Sequence, residues 1–193
     1  MQTYEHILEV AYRLFARNGY EKTSLSMLAK EVGISKPAIY YHFSSKEVLF
    51  AALLQAVCDE IRFEKYFSLT LFSADNFVNQ FIQCGLTMIQ DQRDDPDYSL
   101  LMKEFMIQST RDDQIMVSVK AVVESYLIGF EVLLRHGVSL GVLTDEENLH
   151  VKAEMLTMII DQIDNYMSLG IVSDYEGLWR HCVNQTLHGG TLS

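Results

Sequence analysis

The stretch TSLSMLAKEVGISKPAIYYHFSSKEVL, from Thr23 to Leu49, decides how the rest of the chain is read. Leu25, Leu28, Ala29 and Val32 recur at helical spacing and share one face. Ser24 stands before them with a hydroxyl suited to capping a helix N-terminus. Gly33 follows them, where a left-handed backbone ends a helix without strain. Ser35 is placed to cap a second short helix, with Pro37 in its first turn, where a missing N–H costs little. Ile39 and Phe43, spaced i and i+4, fix that helix to a core. The pattern predicts two short helices joined by a tight turn. The second carries Lys36, Tyr40, Tyr41 and His42, with Lys46 just beyond.

A helix of this kind fits the major groove of B-DNA, whose base edges carry a distinguishable pattern of donors and acceptors. Close approach needs small residues at the helix start, and Ser35-Lys36-Pro37-Ala38 supplies them. Tyr40, Tyr41 and His42 then supply polar and aromatic reach. The helix N-terminus adds free backbone N–H groups and a positive dipole for phosphate.

From Gly19 to Leu49 the sequence resembles the TetR family of transcriptional repressors. The pattern G-Y-x-x-T-S, then L-A-x-x-x-G-I-S-K, then I-Y-Y-H-F-x-x-K-E-x-L is met at the family's spacings. Beyond this motif the chain is similar to the family only in size and helical content. The resemblance implies that Ser24 and Lys46 contact phosphates. It implies that Ser35, Lys36, Pro37 and Ala38 bring the second helix against bases or backbone. Tyr40 would touch base methyls or phosphate, and Tyr41 and His42 would bond to phosphate oxygens. Most such contacts position the protein and few specify sequence. Two plainer readings stand beside these: Tyr41 as a core aromatic, and His42 as a helix C-cap.

Composition bounds the remainder. The chain has 193 residues, 49% of them apolar, enough for one large domain or two small ones. Only two prolines and short β-branched runs favour an all-α fold. No long uncharged apolar run suggests a membrane span, and MQTYEHILEVAYRLF does not read as a secretory signal, so a cytoplasmic protein is expected. The net charge of −11 is uneven: residues 1–50 hold six of the 15 Lys/Arg but only five of the 26 Asp/Glu. A near-neutral front and an acidic remainder have different electrostatic roles. Cys58, Cys84 and Cys182 are far apart and form no C-x-x-C pair, which favours buried reduced thiols over a redox sensor.

Punctuation along the chain divides it further. A first helix is expected from about residue 3 to 18, stopped by Gly19. Ser44-x-x-Glu47 reads as a capping box opening a long helix from Lys46 to about Tyr66. Ser73 opens a helix that Asp94-Asp95-Pro96-Asp97 breaks, another runs to about Thr110, and Asp112-Asp113 opens a long one. Thr144-x-x-Glu147 and Ser173-x-x-Glu176 read as two more capping boxes. The expected domains are residues 1–47, binding DNA, and 48–193, binding an effector and dimerising.

The family resemblance implies a homodimer built on the last two long helices. Met155, Ile159, Ile163, Met167, Leu178 and Val183 are the candidate interface residues. It also implies a small-molecule effector of unknown identity in an apolar pocket. Met88, Met102, Phe105, Met106, Gln108, Tyr126, Phe130 and Met158 are the candidate lining, since Met and aromatics line adaptable pockets. Each is equally a residue of any helical core. No phosphate loop, G-x-S-x-G or H-E-x-x-H motif points to an enzyme, and His150 with Glu154 is too few ligands for a metal site. No cofactor is expected. The expected partners are double-stranded operator DNA, a second copy of the chain and the effector, with no membrane. The alternative is an activator, or a helical protein-interaction module without a small-molecule effector.

Overall fold

A computed structural model describes residues 2–144 and 148–188. Among these, the regular structure is helical. The first helices are α1 (Gln2–Asn18), α2 (Leu25–Val32), α3 (Lys36–His42), α4 (Lys46–Glu60) and the single turn α5 (Phe63–Tyr66). After a 3₁₀ turn at Leu69–Leu71 come α6 (Phe77–Asp94), α7 (Pro96–Ser109) and the long α8 (Asp113–Ser139). Then follow α9 (Leu149–Ser168) and α10 (Tyr175–His188). Among the described residues no helix is long and apolar enough to cross a membrane.

The helix ends follow local chemistry. Gly19, Gly33 and Gly170 sit at φ 79°, 78° and 69°, each at or near the end of a helix. This is a backbone region that residues with a Cβ rarely adopt. Two caps fall one residue later than the sequence suggests. Ser45, not Ser44, caps α4, because its Oγ accepts from Val48 N–H at 3.3 Å. Asp174, not Ser173, caps α10, accepting from Gly177 N–H at 2.8 Å. In each case two neighbouring residues are both capable caps, and the start of the helix selects one. The capping box expected at Thr144-x-x-Glu147 includes Glu147, which lies outside the described residues, as does the expected stop at Gly189-Gly190.

One difference is larger. The helix expected to run from Lys46 to about Tyr66 ends at Glu60 and resumes for one turn as α5. Likewise α6 starts at Phe77 rather than Ser73. There the Asn76 side chain accepts from Ser73 N–H at 2.8 Å and donates to Leu71 O at 3.1 Å.

The division at residues 47 and 48 marks where the candidate DNA contacts end. Packing groups the chain differently, into two compact units. The first holds the chain to Glu60 together with Asp95–Lys120. Its core takes Ile7, Val10, Ala11 and Phe15 from α1, Leu28 from α2, Ile39 from α3, Phe50 and Leu53 from α4, and Leu101 and Phe105 from α7. Phe50 is its hub, edge-on to Phe15 at 5.0 Å and to Phe105 at 5.0 Å. Polar contacts add to the packing of α7 on α1. Arg17 chelates Asp97 with bonds of 2.8–3.0 Å, and the Tyr12 hydroxyl donates to Asp95 at 2.7 Å.

The second unit holds Ile61–Asp94 and the chain from Ala121 onward. Its core is an aromatic cluster of Phe63, Phe67, Phe72, Phe77, Phe81, Tyr126, Phe130 and Trp179. Leu133, Leu156, Ile160 and Ile163 close it from α8 and α9.

Candidate nucleic-acid interface

Three serines start the three helices of the motif region. Ser24 Oγ accepts from Met27 N–H at 3.2 Å, Ser35 Oγ from Ala38 N–H at 3.3 Å, and Ser45 Oγ from Val48 N–H at 3.3 Å. Each bond satisfies one of the donors that a helix start leaves open. Between α1 and α2 the buried Thr23 hydroxyl reaches Gly19 O at 2.9 Å and Leu14 O at 3.2 Å, fixing the turn. Gly33 ends α2 with its N–H on Lys30 O, and Ile34 N–H bonds to Ala29 O at 2.9 Å.

This scaffold turns Ile39 and Phe43 inward, at 0% and 2% exposure, and leaves the other face of α3 to solvent. Lys36, Pro37 and Tyr40 are exposed, and Tyr41 is 87% exposed. Tyr41 is therefore no core aromatic. Its ring meets His42 edge-on at 5.3 Å. A large ring held in water on a short, rigidly seated helix carries no folding role and is available to a partner. His42 and Ala38 are half-buried beside it. The α3 C-cap position falls on Phe43, whose N–H bonds to Ile39 O at 2.8 Å.

Lys46 is more constrained than its neighbours. Its ammonium donates to Tyr20 O at 2.9 Å and lies 4.0 Å from the centre of the Tyr20 ring. The Tyr20 hydroxyl donates to Glu47 at 3.0 Å. The Glu47 carboxyl is held below its ordinary range, first by its bond with Ser45, then by the backbone and by Tyr20. Burial, and next the Glu47 bond, push the Tyr20 phenol up. Tyr20 and Ser45 thus set the start of α4, a role not read in the sequence. The signal was Tyr20 itself, one residue past a helix-ending glycine.

Charge on this unit is partly consumed internally. Arg13 pairs with Glu9 at 2.7 Å and Arg17 with Asp97. Glu21 meets Arg111 at 3.4 Å. Lys22, Lys30 and Lys36 are exposed lysines on the motif.

A family model for bacterial regulatory proteins, tetR family, matches residues 7–53. Over residues 7–53 the chain is thus similar to the TetR family. Its match to the HTH-type transcriptional regulator AcrR of Shigella flexneri is 46% identical over 52 residues, 27% of this chain and 24% of that relative. The chain thus spans about a quarter of the length of this curated relative. It is also 26% identical over 211 residues to the HTH-type transcriptional regulator YerO of Bacillus subtilis, covering 93% of this chain and 67% of the relative. A solved SmeT–triclosan complex shares the fold, with a TM-score of 0.78 at 20% identity over 97% of this chain and 91% of the other.

The remaining candidates fall as follows. Met102, Phe105, Met106 and Gln108 lie in the first unit, and Met88, Tyr126, Phe130 and Met158 in the second. Phe105 and Gln108 are buried, Met102 is half-buried, and Met106 is 54% exposed. Gln108 donates to Glu104 at 2.9 Å. Met88, Tyr126 and Phe130 belong to the aromatic core, whereas Met158 is 67% exposed. Of the interface candidates, Ile163 and Val183 are buried within the chain's own core. Met155 and Leu178 are exposed, and Ile159 and Met167 are half-buried.

Burial pushes the thiols of Cys58, Cys84 and Cys182 up, away from the reactive thiolate. His150 sits 3.0 Å from Glu131 and 3.6 Å from Glu154, in an ion-pair cluster with Arg135.

Proposed function

We propose that the chain is a ligand-responsive transcriptional repressor that binds a pseudo-palindromic operator as a homodimer. The observation that carries this reading is the solvent-held Tyr41 on α3, with Lys36 and Tyr40 exposed beside it, in the segment that matches the family model. In this reading residues 1–47 carry the DNA contacts. Ser24, Ser35 and Lys46 hold helix starts against phosphates; Lys36, Pro37 and Ala38 approach the groove; Tyr40, Tyr41 and His42 bind backbone and base edges. Residues 48–193 carry dimerisation and the effector response.

Dimerisation is supported by α9, which is apolar on two sides. Its inner face is Ala153, Leu156, Ile160 and Ile163. Its outer face is Val151, Met155 and Met158, spaced i, i+4 and i+7 and 49%, 50% and 67% exposed. Met158 thus fits an interface better than a pocket. A two-fold dimer would present its α3 helices to half-sites about 34–36 Å apart. A ligand shifts such a repressor off DNA only through unequal affinity for its two states. SmeT was solved with triclosan, which supports an effector of small-molecule size.

The test is operator binding by Lys36→Ala with Tyr41→Ala. Losing the groove approach of Lys36 and the phosphate contact of Tyr41 in each subunit is expected to weaken binding roughly 100-fold while the dimer persists. Unchanged affinity in the double variant would overturn the assignment of α3.

A further inference from the structure

The segment between α4 and α6 contributes three buried rings, Phe63, Phe67 and Phe72, to the core of the second unit while having little structure of its own. α5 is one turn long, and Arg62 before it makes no side-chain cap. A helix of four residues does not sustain itself in water. Its place depends on side chains, chiefly the rings of Phe63 and Phe67, which are 3% and 1% exposed. Outside the core, the Tyr66 hydroxyl adds a bond to Asp91 at 2.9 Å.

The seat for these rings is specific. Phe63 stacks on Phe67 at 5.0 Å and stands edge-on to Phe130 at 5.0 Å and to Tyr126 at 5.6 Å. It fills a notch in α8 at Gly129, where an added Cβ would lie 2.3 Å from the Phe63 ring. A glycine inside a helix costs about 1 kcal/mol against alanine, so the notch is explained by the ring it admits. Phe67 reaches further, to Phe81 at 5.7 Å and Trp179 at 6.4 Å. Tyr126, whose ring meets Phe63, also carries a polar group. Among the described residues the buried Tyr126 hydroxyl, kept protonated by its burial, donates to the Met88 thioether, at 3.6 Å. A thioether is a weak acceptor.

We infer that Phe63 and Phe67 occupy a binding site for an uncharged, planar aromatic ligand carrying one hydrogen-bond acceptor, which enters by displacing these rings. A flat ring system satisfies the same edge-on contacts with Phe130 and Tyr126 that Phe63 makes now. Its acceptor atom replaces the Met88 thioether as the partner of Tyr126. Two residues, Ile61 and Arg62, join the end of α4 at Glu60 to Phe63, so expelling the rings acts first on the segment that follows α4. The inference rests on the effector reading above for its purpose, and on the ring geometry for its site.

The probes are quinoline and naphthalene, which have the same shape and differ in one ring nitrogen. The chain has a single tryptophan, so its indole N–H gives one resonance, and that resonance reports on the site. Titrations on the full chain follow this resonance in the wild type, Phe63→Ala, Phe63→Leu and Tyr126→Phe. Removing the built-in competitor removes its reduction of apparent affinity, so Phe63→Ala is expected to bind quinoline at least about tenfold more tightly than the wild type. Phe63→Leu keeps apolar bulk and is expected to move the same way by a smaller factor. Tyr126→Phe is expected to abolish the preference for quinoline over naphthalene. Equal affinity in the wild type and both Phe63 variants would overturn the inference, as would quinoline binding that leaves the Trp179 resonance unmoved. These titrations contain no DNA, so their failure leaves operator binding standing, and a failed operator assay leaves the site standing.

Discussion

Trp179 is fully buried, and its indole N–H donates to Ile82 O at 3.0 Å, so the ring cannot slide without breaking a buried bond. Gly85 makes room for it, since a Cβ there would lie 2.1 Å from the ring. Gly85→Ala is therefore expected to destabilise the chain even though alanine is the better helix former. Overpacking of this kind costs about 2 kcal/mol, which lowers the melting temperature by roughly 4–8 °C in a chain of this size. Calorimetry checks it, and an unchanged or raised melting temperature would show that the indole has another place to go. Tyr41 makes the opposite point at the same scale. Among the described residues its ring meets His42 edge-on and is otherwise left to solvent. Its exposure was legible in the sequence only through the pattern around it, since a tyrosine at helical spacing reads equally well as core.

Among the elements, α2 and α3 were legible almost residue by residue, because Ser24, Gly33, Ser35 and Pro37 act on the backbone next to them. The break after α4 was not. Residues near Phe63 and Phe67 continue an apolar periodicity, and only tertiary packing decides that their rings turn into the second unit. The packing of α7 on α1 through Arg17–Asp97 and Tyr12–Asp95 spans about 80 residues of sequence and left no local signal. Periodicity marked Ile163 and Val183 as buried, but did not say whether their own chain or a second copy buries them. For α9, the outer stripe gives a direct expectation. Met155→Glu with Met158→Glu is expected to yield a folded monomer in sedimentation. A persistent dimer would move the interface off this face.

The contact between α8 and α9 carries a pH dependence. His150 bonds to Glu131, and this bond holds the imidazole above its ordinary range. The same cluster, led by Arg135, holds the Glu131 carboxyl below its own. A raised imidazole pKa stabilises the folded state below the ordinary histidine range and loses that contribution as pH rises through the folded value. Both groups lie at the surface, so the effect is small. The melting temperature of His150→Gln is expected to match the wild type near pH 8 and fall slightly below it near pH 6. A deficit larger at pH 8 than at pH 6 would contradict the assignment.

At the scale of the whole molecule, a net charge of −11 argues against nucleic acid, and its distribution removes the objection. Arg13, Arg17 and Glu21 are engaged in ion pairs, while Lys22, Lys30 and Lys36 stay exposed on the motif. Phosphate attraction is short-ranged at physiological salt, where the screening length is about 8 Å. Charges within that length of α3, rather than the total on the chain, therefore govern what α3 offers to phosphate. The chain passes between its two units at Glu60–Ile61, Asp94–Asp95 and Lys120–Ala121. Any change in the aromatic unit therefore has covalent routes into the unit that holds α3.

The central claim is specific, two-fold DNA recognition. The most direct measurement is selection of fragmented genomic DNA on the purified protein at about 0.15 M salt, a range in which nonspecific phosphate binding is weakened, repeated on protein unfolded and refolded free of ligand. Enrichment of one short inverted repeat, with half-sites about one helical turn apart, is the expected result. No enrichment from the refolded, ligand-free protein would contradict the account.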